Sequence, residues 1–527
     1  MAIRTVGIIG AGSSGITSVK SCLEEGLQPI CFERQSGFGG VWYTDDEKTK
    51  KGFNFMFDSL TTNTSKEMMC MSDFPFPEDY PPFPTPRQMQ DYWRSYVEHF
   101  KLKEHIRLGQ KVTKITDIGS GRWKIVAEDV DNGNVTETEV DALIVSSGLQ
   151  GTPNAPDIPG QQEFAGKVYH SQEFRRGTDY IGKKVVVLGA SFSAGDVAVD
   201  CSRHSNMTYM STRRGCWVMR RTFRGAGPWD LHILTRWFNY MPECFQELYL
   251  EVVFRALVNH EDLGLESDIR LYSGASIMLN DSINDQILCG KLKIKPEIKM
   301  LTKDSVVFAD DSRVEDVEAV ILATGYKKYY PYLEDKSMRE SLEDKFDLYK
   351  YIFLPGHPTF AAVGLAKGLG PQASSYELQS RWVARVFSGK CKLPSDSVMR
   401  SAANTLREEN LRDHGSVHSY VLWIPYVLDL AKEIGCLPSP WTYLFTKPRL
   451  ALKLALGTIN PYIFRLTGPH SWDGAIGAIE DSTRKTIKPT KTRLSKVRYT
   501  NFVYTLAQYL LILLVLLFAV LLKSYFF

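Results

Sequence analysis

The sequence predicts an α/β chain with two Rossmann-like, dinucleotide-binding domains, the second inserted in the first, and a C-terminal transmembrane helix. Three observations predict it. Two apolar strands run straight into small-residue loops at 10–15 and 189–194. Two more apolar strands end in glycine, at Gly148 and at Thr324-Gly325. A single uncharged apolar run is long enough to cross a bilayer.

The chain has 527 residues, enough for several domains. An apolar fraction of 44% and a charged fraction of 23% are those of a globular protein, which excludes wholesale disorder and collagen-like repetition. A mean hydropathy of −0.19 with one long apolar run excludes a polytopic membrane protein. The net charge is +3, but Arg484 to Thr500 holds seven Lys/Arg and no Asp/Glu. The body is therefore mildly acidic and the tail basic, and no nucleic-acid partner is expected. Nine widely spaced cysteines, none in CxxC, point to neither a disulfide framework nor a metal site, so no metal is expected.

The first glycine loop comes first in the chain. Val6 to Ile9 is a short apolar strand, Gly10-Ala-Gly12-Ser13-Ser-Gly15 follows, and Ile16 to Glu25 reads as a helix. Gln28 to Phe32 is the next strand and ends at Glu33. Gly10 permits a tight turn, Gly12 lets backbone approach a pyrophosphate, and Gly15 lets helix and strand pack closely. The helix N-terminus favours phosphate, and Glu33 is placed to accept hydrogen bonds from ribose hydroxyls. A carboxylate there disfavours a 2′-phosphate. With the following Gly39-Gly40-Val41-Trp42, similar to FAD enzymes of the glutathione-reductase type, it points to FAD.

The second loop has the same layout with a difference. Lys183 to Leu188 is a strand, followed by Gly189-Ala-Ser191-Phe-Ser193-Ala194 and a helix from about Gly195 to Cys201. Ser191 holds the place of the second glycine, and its Cβ is expected to crowd a pyrophosphate. The next strand, Met207 to Thr212, ends at Arg213-Arg214, where the first unit has Glu33. Arginine there suits a 2′-phosphate, so NADPH is expected in the second site. The strand from Val317 into Thr324-Gly325 marks the chain's return to the first domain, and Ala142 to Gly148 has the same form.

The expected domains are an FAD-binding first part at 1–155 and an NADP-binding domain at 156–330 with a helical apolar insertion near 230–290. A second FAD-binding part follows at 331–445, a membrane-proximal helical and basic segment at 446–500, and an anchor at 501–527. The N-terminus has no signal-peptide pattern. Phe502 to Leu522 is 21 residues without a charge, about 31 Å as a helix, with the cations on its N-terminal side. It reads as a tail anchor with the catalytic body in the cytosol; a helix lying on the membrane is the other reading. Two further apolar stretches, His232 to Val258 and Tyr420 to Ile459, are either packed helices or a membrane-lying surface, which an exposed apolar patch would distinguish.

These features together resemble the flavin-containing monooxygenases. Phe164-x-Gly166-x-x-x-His170-x-x-x-Phe174 matches that family's signature, and Phe at 174 favours it over type I Baeyer–Villiger enzymes. Thr62-Asn63-Thr64-Ser65-Lys66, Ser211 to Trp217, Gln286 to Gly290, Ser375 to Trp382 and Thr467 to Trp472 also resemble family segments. The match spans the chain, and the apolar tail is similar to the animal microsomal branch. Departures are the 189–194 loop and Val41-Trp42-Tyr43 in place of Leu-Trp-Arg.

The resemblance implies an endoplasmic-reticulum enzyme. NADPH reduces FAD, O₂ forms a C4a-hydroperoxide, and the nitrogen or sulfur of a small lipophilic amine or sulfide takes one oxygen. It implies Asn63 as the catalytic residue, its amide near flavin C4a and NADP⁺; the alternative is a cap on the Ser65-Lys66-Glu67 turn. His170 is either a hinge residue or catalytic, and Lys66 is expected in solvent rather than on a phosphate. The cofactor-binding set is Gly10, Gly12, Ser13, Gly15, Glu33, Gly40, Val41, Trp42, Thr62, Asn63, Gly189, Ser191, Ser193, Ala194, Arg213, Arg214, Thr324 and Gly325. Baeyer–Villiger oxidation and an NADPH oxidase releasing H₂O₂ are the competing reactions. Membrane lipid is an expected partner, and a homodimer is compatible with the sequence.

Overall fold

A computed structural model describes residues 3–44, 56–223, 227–271, 277–368, 370–414 and 420–493. Period-two apolar alternation builds the first sheet. In the strand Thr5–Ile9, Val6 and Ile8 face a helical layer, while Gly7 and Ile9 face a three-stranded antiparallel sheet. That small sheet is Gln110–Asp117, Trp123–Asp129 and Val135–Val140. It lies so close that a Cβ on Gly7 would sit 2.4 Å from Ile125 Cδ1. The parallel sheet runs in the order Phe360–Ala362, Ala142–Val145, Thr5–Ile9, Gln28–Phe32, Ile106–Arg107. Its helix Ser13–Glu24 packs on the helix Gln372–Phe387, where small residues let the backbones approach. Ser380 Oγ lies 3.1 Å from Thr17 Oγ1 and 3.0 Å from Ser18 Oγ.

The second parallel sheet repeats this plan in the order Leu292–Lys295, Met207–Ser211, Lys184–Leu188, Val317–Leu322, Lys167–His170. Val185 and Val187 face the helix Phe192–His204. Val186 and Leu188 face the antiparallel strands Ile298–Leu301, Val306–Phe308 and Arg313–Val314. All its strands lie between Ala142–Val145 and Phe360–Ala362 in sequence. The helix begins three residues earlier than the expected Gly195 and ends at His204, and Ser13 rather than Ile16 opens the first helix.

The region expected to be a helical insertion holds the helices Asp230–Ile233, Arg236–Asn239, Glu243–Leu257 and Ile283–Leu288. It also contains a strand, Ile277–Leu279, which pairs in parallel with Trp217–Met219. The apolar tail at 502–522 lies outside the described residues; among those described, no helix is long and apolar enough to cross a membrane.

A buried ionic cluster ties the C-terminal segment to the N-terminal unit. Arg465, 1% exposed, reaches Glu24 at 3.1 Å, Asp73 at 3.0 Å and Glu377 at 3.1 Å. Lys20 pairs with Glu24 and Asp73 at 2.6 and 2.7 Å. Arg381 donates to the carbonyls of Phe464 and Pro469.

Candidate active site

At the first loop the backbone itself forms the wall. Gly10 has φ +98°, and a Cβ on Gly15 would sit 1.8 Å from the Gly10 carbonyl oxygen. Gly12 caps the helix Ser13–Glu24 and faces Gly40 across a narrow gap; a Cβ on Gly40 would lie 2.8 Å from Gly12 Cα. The Gly39 amide donates to the Ala11 carbonyl at 2.8 Å, closing this backbone-lined groove. Val41 and Trp42 complete the turn Gly40–Trp42, with Trp42 packed on the core beneath. Ser13 opens the helix, and its carbonyl accepts from Thr17 Oγ1. Glu33 is buried below the loop. Its two oxygens accept from the amides of Ala11 at 2.7 Å and Gln35 at 2.9 Å, and burial raises its pKa against those bonds. A bare groove bounded by a helix N-terminus and a carboxylate fits the pyrophosphate and ribose of FAD.

The second loop keeps the conformation and loses the wall. Gly189 has φ +132°, and a Cβ there would meet the Ala323 carbonyl at 2.4 Å. Ser191 caps the helix Phe192–His204 as Gly12 caps the first, with extended backbone and no side-chain cap bond. Ser191, Phe192 and Ser193 are exposed, while Ala194 is buried. Arg213 is exposed and makes no ion pair among the described residues, whereas Arg214 Nε donates to Asp268 at 2.8 and 3.0 Å. The open helix end beside an uncommitted arginine suits the pyrophosphate and 2′-phosphate of NADP.

Thr324 and Gly325 lie where the two connecting segments cross. Thr324 Oγ1 donates to the Asn154 carbonyl at 2.5 Å, and the Asn154 amide donates to the Gly325 carbonyl at 2.9 Å. His170 belongs to this crossing. Its Nδ1 accepts from the Gln172 amide at 3.2 Å, which leaves Nε2–H to donate to Gly325 O at 2.9 Å. Burial lowers its pKa, and both ring nitrogens are engaged by backbone at this crossing.

Asn63 sits at the seam between the units. Arg221 Nη2 donates to Asn63 Oδ1 at 2.9 Å, and Arg221 Nε to the Thr62 carbonyl at 3.3 Å. Asn63 does not cap the next turn; Ser65 occupies the N-cap of Lys66–Met69, without a side-chain cap bond. Asp196 and Asp281 each lie 3.4 Å from Arg221, and Asp196 also accepts from Asn280 Nδ2 at 2.9 Å. Burial raises the Asp196 pKa, and Arg221 opposes it. Asp196, Arg221, Asn280 and Asp281 line a cavity of about 140 Å³ with Ser59 and Thr61; Asn63 is not part of its wall. Ser65 N–H donates to Asp230 at 2.6 Å, and burial pushes that carboxyl up to about 6.

Lys66 corrects the sequence reading. It is fully buried rather than in solvent, and its ammonium donates to the carbonyls of Pro77, Glu78 and Tyr80 at 3.1, 2.9 and 2.8 Å. It is a structural staple, with no contact free for a phosphate. Arg221, Asp196 and Asp230 were missed because their partners lie 158, 25 and 165 residues away in sequence. The available signal was the cluster of charges Arg220-Arg221, Arg224 and Asp230 within eleven residues, just ahead of the apolar stretch from His232.

The flavin-binding monooxygenase-like family model matches residues 3–525. The chain is 37% identical over 509 residues to flavin-containing monooxygenase 2 of Homo sapiens, covering 94% of each chain. The same identity and coverage hold for dimethylaniline monooxygenase (N-oxide-forming) 2 of Macaca mulatta. Its fold is similar to that of S-allyl-L-cysteine S-oxygenase from Allium sativum, at TM-score 0.63 and 22% identity over 92% of this chain and 100% of that one. It is also similar to NADP⁺-bound cyclohexanone monooxygenase from Rhodococcus sp. Phi1, at 0.61 and 16% over 82% and 98%. With both cradles in place and the match running nearly end to end, the chain belongs to the flavin-binding monooxygenase-like family: it is a monooxygenase with FAD and NADPH as cofactors.

Proposed function

We propose that the chain uses NADPH and O₂ to oxygenate the soft nitrogen or sulfur of small lipophilic amines and sulfides. The observation that carries this is the pair of loops, one walled by backbone and one open, with the Asn63 amide held by Arg221 across the seam between their units. When bound, FAD would supply the redox chemistry, accepting hydride from NADPH and activating O₂ so that one oxygen passes to the nucleophile and the other leaves as water. Gly10, Gly12, Ser13, Gly15, Glu33, Gly40, Val41 and Trp42 hold FAD. Gly189, Ser191, Ser193, Ala194 and Arg213 hold NADP, with Arg214 braced on Asp268. Asn63 meets both, with Thr62 buried behind it and its carbonyl held by Arg221, and Thr324-Gly325 form the crossing between the units. The relatives' printed name, N-oxide-forming, supports nitrogen as one acceptor.

The body docks on the cytosolic face of the endoplasmic reticulum. Trp441 is 77% exposed, Phe445 94% and Leu452 62%, beside exposed Lys447 and Arg449. The segment from Leu234 to Asn239 joins them, because the Arg236 amide donates to Gly457 O and the Ile459 amide to Leu234 O. Exposed Tyr240, Leu248 and Val252 follow it in the chain. Exposed aromatic and aliphatic side chains with cations beside them suit a lipid interface.

The test is rapid mixing of anaerobically NADPH-reduced enzyme with oxygenated buffer. A long-lived oxygenated flavin, consumed faster when a tertiary amine or thioether is added, with N- or S-oxide as product, is expected. Ester formation from a ketone would replace this reading with Baeyer–Villiger chemistry, and immediate flavin reoxidation with stoichiometric H₂O₂ would replace it with an oxidase.

A further inference from the structure

A side-chain amide has two chemically opposite ends, an acceptor oxygen and a donor NH₂. Which end of Asn63 faces its surroundings is decided by what holds the other. Arg221 holds it, and a guanidinium has donors and no acceptor. Turning the amide over would set N–H against N–H, so Oδ1 faces Arg221. Asn63 Nδ2 makes no hydrogen bond among the described residues.

Arg221 is itself immobilised. It is 9% exposed, and its backbone N–H donates to Asp281 Oδ1 at 2.9 Å. Its guanidinium spans Asp196, Asp281 and the Thr62 carbonyl. Two residues beyond Asn63, Asp230 takes the Ser65 amide. The stretch 62–65 of the first unit is thus gripped at both ends by residues 196–281 of the second.

We propose that Arg221 is a positioning residue for the oxygenation reaction: it fixes the polarity of the Asn63 amide, so that Asn63 meets the bound flavin and nicotinamide only as a donor. This rests on the role given to Asn63 above. A fixed donor favours oxygen carrying negative charge or a lone pair, whereas an acceptor in the same place would repel it. The polarity depends on the docking of the two units, because the donor and acceptor of the bond belong to different ones.

The experiment is a double-mutant cycle on positions 63 and 221, read in two ways. In the apoprotein, thermal unfolding is compared for Asn63→Asp in the wild-type and Arg221→Met backgrounds. The carboxylate should be tolerated opposite Arg221 and should lower the midpoint once Arg221 is gone; additive effects would overturn the proposal. In the loaded enzyme, Arg221→Met should raise H₂O₂ released per NADPH by ~10-fold. The anaerobic rate of flavin reduction should stay unchanged, and Arg221→Lys should restore part of the coupling. If Arg221→Met is as well coupled as wild type while Asn63→Asp is not, the positioning role is wrong and the reading of Asn63 survives. If both are as well coupled as wild type, both fail. Should Arg221→Met not fold, Arg221→Gln carries the same comparison.

Discussion

The two small-residue loops share a backbone and differ in what faces them. Gly12 and Ser191 both cap a helix from extended backbone, with ψ of −173° and −165°. Across from Gly12 stands Gly40, whose own Cβ would lie 2.8 Å from Gly12 Cα; around Ser191 the neighbouring Phe192 and Ser193 are exposed. At the third position of the motif, Gly15 has no room for a Cβ, while its counterpart Ala194 carries one comfortably. The same turn therefore makes two sites. One is a slot whose walls are backbone, suited to a cofactor that stays. The other is a ledge, suited to one that arrives and leaves.

The largest test of this contrast is Gly15→Ala. Its methyl would meet the Gly10 carbonyl, so it should cost about 3 kcal/mol or more and empty the flavin site. Unfolding midpoint and flavin absorbance per protein measure it. A Gly15→Ala enzyme that keeps its flavin would show the slot to be less rigid than its contacts require, whereas Ala194→Gly should leave flavin content untouched.

The seam between slot and ledge has its own signature. Burial raises Asp230 from 3.8 to about 6, so the native state binds that proton more tightly than the unfolded chain does. The carboxyl's contribution is then full below about pH 4 and is lost as pH rises through about 6. Asp230→Asn keeps an acceptor for Ser65 N–H and removes the charge. Its stability relative to wild type should rise by about 2 kcal/mol between pH 4 and pH 7.5. Denaturant unfolding at the two pH values reads this, and a pH-independent difference would refute it.

On the ledge, Arg213→Ala should raise the Kd for NADPH about tenfold and leave NADH unchanged, since it removes an uncommitted cation. Arg214→Ala should do less, because Asp268 already occupies that guanidinium. Equal losses would mean that the ion pair opens on binding. The smallest effect is expected from Ser191→Gly. Exposure around the side chain leaves room for the cofactor to shift, so NADPH affinity should improve by no more than about threefold. The mirror change, Gly12→Ser, puts a hydroxymethyl in the slot and should weaken flavin retention far more.

The contrast also explains what was legible beforehand. Strand, loop and helix follow one another in sequence, so the elements around both loops could be read within a few residues. The strand Ile277–Leu279 could not, because its partner Trp217–Met219 lies about 60 residues away. Asn63 could be singled out by resemblance, yet the Arg221 that orients it is joined to it only by the docking of two units. Lys66 misled for the opposite reason. A lysine in a polar loop suggests solvent, and only the fold shows three carbonyls converging on its ammonium.

The buried cluster around Arg465 has a genetic consequence. Glu24, Asp73 and Glu377 come from the front and middle of the chain and share one cation from near its end. Losing that cation strands buried carboxylates, at a cost of about 3–5 kcal/mol. A stop codon before position 465 should therefore act as a null allele through misfolding and degradation.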